Sequence, residues 1–277
     1  MNVTGATKST SAGAGFMRVS SMSINPLSMI SLEFDRARLA ALGRSFGVPL
    51  HAVDDGYLVH CAARALFGDT APQPFALRPS RGRNLRALGY SVASADDLRA
   101  HAHTFAEPIA YAACNLESIV GKPMPAAWRL GTKLGFEVRA CPVSRSDGAT
   151  TRVADPAVRP RAEVDCFLSA CRRAGESARV VREEIYLQWL HRELDRGGAA
   201  KLVSGRMLSF RRVRLSRSTH AGVRAIKVCE RPDAIFAGIL EVADPQAFDT
   251  LLRRGVGRHR AFGFGMLLLR PVGHLDA

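Results

Sequence analysis

The sequence predicts an α+β protein built from two tandem ferredoxin-like (RRM-like, βαββαβ) domains. Three observations predict it. Segments alternating apolar and polar residues interleave with segments of helical period. Their succession (strand, helix, strands, helix, strand) runs twice, and the halves divide near residue 130. The 277 residues, 47% apolar, suffice for two small domains with their own cores. The expected limits are 1–24 for a disordered tail, 25–130 for the first domain and 131–277 for the second.

Residues 1–24 are rich in Ser, Thr, Gly, Ala and Met and contain no acidic residue. They lack the apolar core of a signal peptide, so they read as a tail or as sequence before a later start at Met17, Met22 or Met29. Ser28–Phe34 alternates as an edge strand. Asp35 caps a helix over Arg36–Phe46, and Asp54-Asp55 opens another over Gly56–Phe67, closed by Gly68. Pro74–Pro79 and Leu85–Val92 are strands, and Ser94-Ala-Asp-Asp starts a helix to about Thr104. Gly131–Val143 holds the next strand, and the polar residues 144–162, with Pro156 and Pro160, form a loop. Helices follow over Glu163–Ala174 and Arg182–Leu194, then Gly197-Gly198. Four strand-like runs come next: Ala200–Val203, Met207–Leu215, Gly222–Cys229 and Ile235–Val242. A helix opened by Asp244-Pro245 runs to Arg254, and an apolar strand, Met266–Leu269, closes the fold.

Between that helix and strand lies GVGRHRAFGFG, residues 255–265. It fails as a dinucleotide fingerprint, because Arg260 stands where the third glycine belongs and because a helix precedes it. Two readings remain. It is an ordinary tight turn on a basic protein, or Gly255, Gly257, Gly263 and Gly265 let a polyanion backbone approach Arg258, His259 and Arg260.

The charge favours the second. The chain carries 39 Lys+Arg against 25 Asp+Glu, a net +14, and only five of the cations are lysine. Arginine grips phosphates bidentately and stacks on bases, although a high-GC genome, which favours Arg codons, gives the same bias. Arg206, Arg211, Arg212, Arg214, Arg217, Arg224 and Lys227 fall within 22 residues of largely predicted strand, and no acidic residue occurs from Leu208 to Cys229. Arg212 and Arg214 share one strand face, so a stripe of guanidinium groups results.

Tyr57-Leu-Val-His60 places a tyrosine and a histidine on one helical face. A histidine there can move a proton at neutral pH; a half-buried surface pair is the competing reading. The six cysteines form no C-x-x-C pair and read as buried hydrophobes of a reducing, cytoplasmic compartment. No carboxylate pairing, zinc or EF-hand spacing, or nucleophile elbow is present, which leaves metal chemistry unsupported. No apolar run reaches membrane-spanning length, and no helix-turn-helix marks a transcription regulator.

Read in order, these pieces resemble one family. GVGRHRAFGFGMLLL resembles the glycine-rich signature of the CRISPR repeat-processing endoribonucleases of the RAMP superfamily, in the CasE (type I-E) branch or its type IV relative. DGYLVHCAARALFG is similar to that branch's Tyr-x-x-His helix. GFEVRACPVSR, EVDCFL, REEIYLQWLHREL and FAGILEVADPQAF resemble its remaining stretches, so the similarity covers roughly 28–272. The segment Asp35–Asp55 and the start before Met17 depart from the pattern.

The resemblance implies a metal- and cofactor-free enzyme that binds the stem-loop of CRISPR repeat RNA and cuts at the 3′ base of the stem. The 2′-hydroxyl attacks the adjacent phosphate and leaves a 2′,3′-cyclic phosphate. It implies His60 as general acid or base and Tyr57 as its helper at the nucleotide. It also implies the loop Gly255–Gly265 against the RNA backbone and Arg211, Arg212, Arg214 and Arg217 against the stem. Partners would be the other subunits of a crRNA-guided effector complex. Some type IV relatives use arginines instead, for which Arg36, Arg38 and Arg44 are candidates. The alternative is a non-catalytic RAMP scaffold subunit, which has no need of a titrating His60.

Overall fold

Asp35 ends one element and begins the next. Its carboxylate accepts the Arg38 amide at 2.9 Å, so strand β1 (Ser28–Asp35) runs straight into helix α1 (Arg36–Ser45). The computed structural model describes residues 26–47, 54–78, 82–145, 163–175, 179–218 and 226–272. The expected tail 1–24 and residues 219–225, with Gly222 and Arg224, lie outside them.

Helix α2 (Asp55–Phe67) follows, capped by Asp54, whose Oδ1 accepts the Gly56 amide at 2.8 Å. Strands β2 (Phe75–Arg78) and β3 (Asn84–Ser91) lead to α3 (Ala95–Phe105), which opens on a capping box between Ser94 and Asp97. A short α4 (Pro108–Tyr111) and β4 (Val120–Pro123) complete the first unit. Its antiparallel sheet has the order β2-β3-β1-β4.

The second unit repeats this topology with β5 (Lys133–Ala140), β8 (Ala200–Ser218), β9 (Ile226–Val242) and β10 (Leu268–Pro271) in the order β10-β5-β9-β8. Taken along the chain, both sheets read 4-1-3-2 across, the ferredoxin-like arrangement. Helices α5 (Cys166–Ala174) and α6 (Arg182–Asp195) connect the unit's first and second strands; α7 (Pro245–Arg254), capped by Asp244, connects its third and fourth. A small separate pair, β6 (Val143–Arg145) and β7 (Glu163–Asp165), sits between β5 and α5.

Several expected elements are corrected. The helix expected from Glu163 starts at Cys166, because Glu163–Asp165 pairs with Val143–Arg145 and Asp165 then caps through the Phe167 amide at 2.8 Å. Ala200–Val203 and Met207–Leu215 are one strand, broken in register by bulges at Leu202/Ser204 and Met207/Ser209. Its partner is likewise a single strand, β9. The last strand begins at Leu268, while Met266 and Leu267 are buried before it. The short α4 and β4 have no counterpart in the sequence reading.

Pleating divides β3 between two cores. Leu85 and Ala87 face the helices of the first unit, packing with Ile30, Leu32 and Phe67. Leu88 and Tyr90 point the other way, into a core shared with Phe136, Phe236, Phe248 and Leu267 of the second unit. There the Tyr90 hydroxyl donates to the Leu267 carbonyl at 2.8 Å. Beyond Asp233, β5 no longer covers β9, so β8 and β9 continue as a two-stranded ribbon. No helix among the described residues is long and apolar enough to cross a membrane.

Candidate functional site

Helix α2 reaches the glycine-rich loop through a residue without a side chain. A Cβ on Gly56 would stand 2.6 Å from the Phe262 carbonyl carbon, so only glycine lets α2 approach the 3₁₀ turn Arg260–Phe262. One residue on, the Tyr57 ring stacks on Phe262 at 5.3 Å between centroids. One turn further, the His60 ring lies 6.3 Å from Tyr57. His60 then lines a cavity of about 660 Å³ together with Gly257, Arg258, His259 and Arg260 of the loop. Arg145, Glu163, Cys229 and Arg231 line it from β6, β7 and β9. Two regions far apart in sequence, both singled out from it, therefore meet in one cavity.

The cavity wall is cationic, with one acid inside it. Glu163 accepts from Arg258 Nη1 at 3.2 Å and Arg231 Nη2 at 3.3 Å, and bonds His259 Nε2 at 2.9 Å. The His259 hydrogen bond, reinforced by the nearby cations and opposed by burial, lowers its carboxyl to about 2. His60 is held below its ordinary value of 6.5, first by burial and then by the Arg64 charge, so its neutral form dominates at pH 7. Four arginines and two histidines against one glutamate make a place for a polyanion.

Beneath the cavity, Arg139 ties the parts together. It grips both oxygens of Asp233, at 2.8 and 2.9 Å, and donates to the Phe262 carbonyl at 3.3 Å. Its guanidinium lies 4.2 Å over the Phe264 ring and 3.9 Å from the Asp54 carboxylate that caps α2. Arg211 donates to the same Asp233 at 2.8 Å. Asp233 is 3% exposed, and despite burial the two arginines hold its carboxyl low. Removing either partner of such a pair costs about 3–5 kcal/mol.

The glycines of the loop leave room for other parts of the protein. A Cβ on Gly265 would meet the Val256 carbonyl oxygen at 2.6 Å, and one on Gly257 the Trp189 ring at 2.7 Å. Gly255, Gly263 and Gly265 are buried, and of the four only Gly257 lines the cavity. These three shape the loop from within. Arg258 and His259 are engaged by Glu163, and exposed Arg260 donates to the Arg254 carbonyl at 2.9 Å. Tyr57 is half-buried and outside the cavity lining.

On the ribbon, Arg212 and Arg214 are exposed; Arg212 pairs with Glu230 at 3.1 Å. The side chain of Arg217 lies outside the described residues. The arginines of α1 point elsewhere: Arg36 pairs with Asp55 at 2.9 Å and Arg38 donates to the Ala112 carbonyl at 2.8 Å. Neither lines the cavity, nor does Arg44. Sequence reasoning missed Glu163, Arg231, Arg139 and Asp233: the Glu163–Arg231 pair spans 68 residues and the Arg139–Asp233 pair 94.

A family model described as CRISPR associated protein matches residues 27–271. Over 157 residues the chain is 30% identical to the CRISPR-associated endoribonuclease Cse3 of Thermus thermophilus. That match covers 54% of this chain and spans 61% of the relative's length. The structure of Thermus thermophilus Cse3 bound to an RNA representing a pre-cleavage complex superposes with a TM-score of 0.51 at 19% identity, covering 89% of this chain and 100% of that one. Cas6e from Escherichia coli K-12 does so with a TM-score of 0.53 at 18% identity, covering 88% and 100%. These solved structures share the fold described above.

Proposed function

The chain belongs to the CRISPR associated protein family, whose model spans residues 27–271, and from that premise we propose that it is a metal-independent endoribonuclease that processes CRISPR repeat RNA. The observation that carries the proposal is the meeting of His60 with the basic, glycine-rich loop in one cationic cavity. The endoribonuclease relative supplies the reaction class.

In this reading the repeat stem lies along the ribbon, with its A-form backbone on Arg211, Arg212, Arg214 and Arg217. The strand at the 3′ base of the stem enters the cavity beside Arg258 and Arg260. His60 acts as general acid or base while the 2′-hydroxyl attacks the adjacent phosphate, giving a 2′,3′-cyclic phosphate and a 5′-hydroxyl. A positioned histidine contributes about 10²–10⁴-fold to such a step. The arginines stabilise the charge that develops on the phosphorane. Tyr57 holds helix and loop together through its stack on Phe262. The two sheets, on either side of residue 130, support two domains, 25–130 and 131–277. The product crRNA stays bound, and the protein serves in the cytoplasm as a subunit of a crRNA-guided effector complex.

The test is end-labelled repeat RNA incubated in EDTA with wild type and His60→Ala. A single cut at the stem base by wild type only, with a cyclic-phosphate end, supports the reading. Cutting by both moves catalysis to another group. Tight binding without cutting by either assigns a scaffold role.

A further inference from the structure

Transphosphorylation of RNA moves two protons. One leaves the attacking 2′-hydroxyl and one reaches the departing 5′-oxygen, so a site with a single titrating group serves only one end of the reaction. This cavity holds two imidazoles. His60 lies 6.3 Å from the Tyr57 ring and His259 lies 6.1 Å from the Phe262 ring that Tyr57 stacks on, and both line the cavity.

His259 is set up differently from a surface histidine. Among the described residues it is the only non-glycine with positive φ, at φ 64° and ψ 31°. A strained residue persists where its surroundings over-determine it, and such residues cluster at functional sites. Two contacts do so here. The Phe262 amide donates to the His259 carbonyl at 2.9 Å, and the imidazole Nε2 meets the Glu163 carboxylate at 2.9 Å. Glu163 is brought there by the pairing of Arg145 with Glu163 across β6 and β7. With Nε2 engaged, Nδ1 has no hydrogen-bond partner among the described residues. A carboxylate on one ring nitrogen with the other nitrogen free is the arrangement that orients a catalytic imidazole.

We propose that His259, oriented by Glu163, is a second catalytic residue of this site, the general acid for the leaving 5′-oxygen, with His60 as the base. The proposal rests on the endoribonuclease reading above. As the 2′-oxygen bonds to phosphorus, its proton passes to His60. The P–O5′ bond breaks, and the 5′-oxygen takes a proton from Nδ1 of His259. Solvent then restores both rings, so no co-reactant is consumed. The Glu163 carboxylate balances the charge of the doubly protonated ring. Arg258 and Arg260 on the loop, Arg145 on β6 and Arg231 on β9 face the same space, as does the Cys229 thiol. The arginines supply fixed positive charge but no proton at neutral pH.

The test compares two repeat RNAs under single-turnover conditions. One has the natural linkage at the cut site; the other has sulfur in place of the 5′-bridging oxygen. A thiolate leaves without a proton, so an enzyme lacking only its general acid recovers on the second RNA. Asparagine tolerates the left-handed conformation, so His259→Asn removes the acid with little backbone cost. It is expected to slow the natural RNA about 10²–10⁴-fold and to cut the sulfur-bridged RNA within about tenfold of wild type. Glu163→Gln shows the same recovery from a smaller loss, and His60→Ala stays slow on both. Should His259→Asn lose repeat affinity, His259→Gln takes its place. Equal slowing on both RNAs at unchanged affinity, or no slowing, overturns the assignment of His259. If wild type leaves both RNAs intact, the endoribonuclease reading itself fails.

Discussion

Gly56 on α2 and Phe262 in the glycine-rich loop touch through backbone alone, with no room for even a methyl group between them. That contact sets the distance from the His60 helix to the cations of the loop. Gly56→Ala must push the two apart. It is expected to cost about 1–3 kcal/mol of stability in urea unfolding. It is also expected to slow cleavage about 10²-fold, through misplacement of His60, while repeat affinity holds. A variant as active and as stable as wild type would show that the contact positions nothing.

His60 is kept neutral by burial and then by Arg64. As the base, it is active only when unprotonated. The rate of single-turnover cleavage should therefore rise with pH through a midpoint below 6.5. Arg64 disfavours the protonated ring, so Arg64→Ala should raise that midpoint towards 6.5. A midpoint unmoved by this substitution would argue against His60 as the titrating group.

Glu163 contributes to folding as well as to the cavity. Its carboxyl is at about 2 in the folded protein against an ordinary 4.5, so the stabilisation is complete above 4.5 and is lost as pH falls towards 2. The shift corresponds to at most about 3 kcal/mol. Glu163→Gln should be less stable than wild type at neutral pH, and urea unfolding at a series of pH values should show the gap closing in that window. A gap independent of pH would mean that packing rather than charge is lost.

Among the ribbon arginines, Arg214 is exposed with no ion-pair partner among the described residues. Arg214→Ala should weaken repeat binding and lower the slope of log affinity against log salt by about one, with stability unchanged. Arg211→Ala should behave otherwise. It strips one of two partners from buried Asp233, so its loss should register in unfolding. If both variants change only binding, the Asp233 network is not a structural anchor.

Much of this was legible in the chain. The caps Asp35, Asp54, Ser94 and Asp244 announce four helices, because a side-chain oxygen two or three residues from an amide is a local signal. The repeated strand and helix pattern pointed to the ferredoxin-like class, and Tyr57, His60 and the 255–265 loop were singled out before their meeting was visible. What escaped notice is non-local. The bulges in β8 shift the period-two pattern, so one long strand reads as two short ones. Glu163 looks like the first turn of a helix because its strand partners, Val143–Arg145, are remote in sequence. The loop glycines look like room for RNA because Trp189, Pro74 and Phe75, which fill that room, come from other elements.

The bond from Tyr90 to the Leu267 carbonyl joins residues 177 positions apart. At a synthesis rate of about 5–20 residues per second, the β3 face carrying Tyr90 waits roughly 10–35 s for its partner to be made. During that time the nascent first half carries a tyrosine that is 1% exposed in the finished protein, with no Leu267 carbonyl yet to accept its hydroxyl. The seam between the two units is thus also a timetable. The ribosome delivers a complete helix-and-sheet body early, but its second face is sealed only when the last strand emerges.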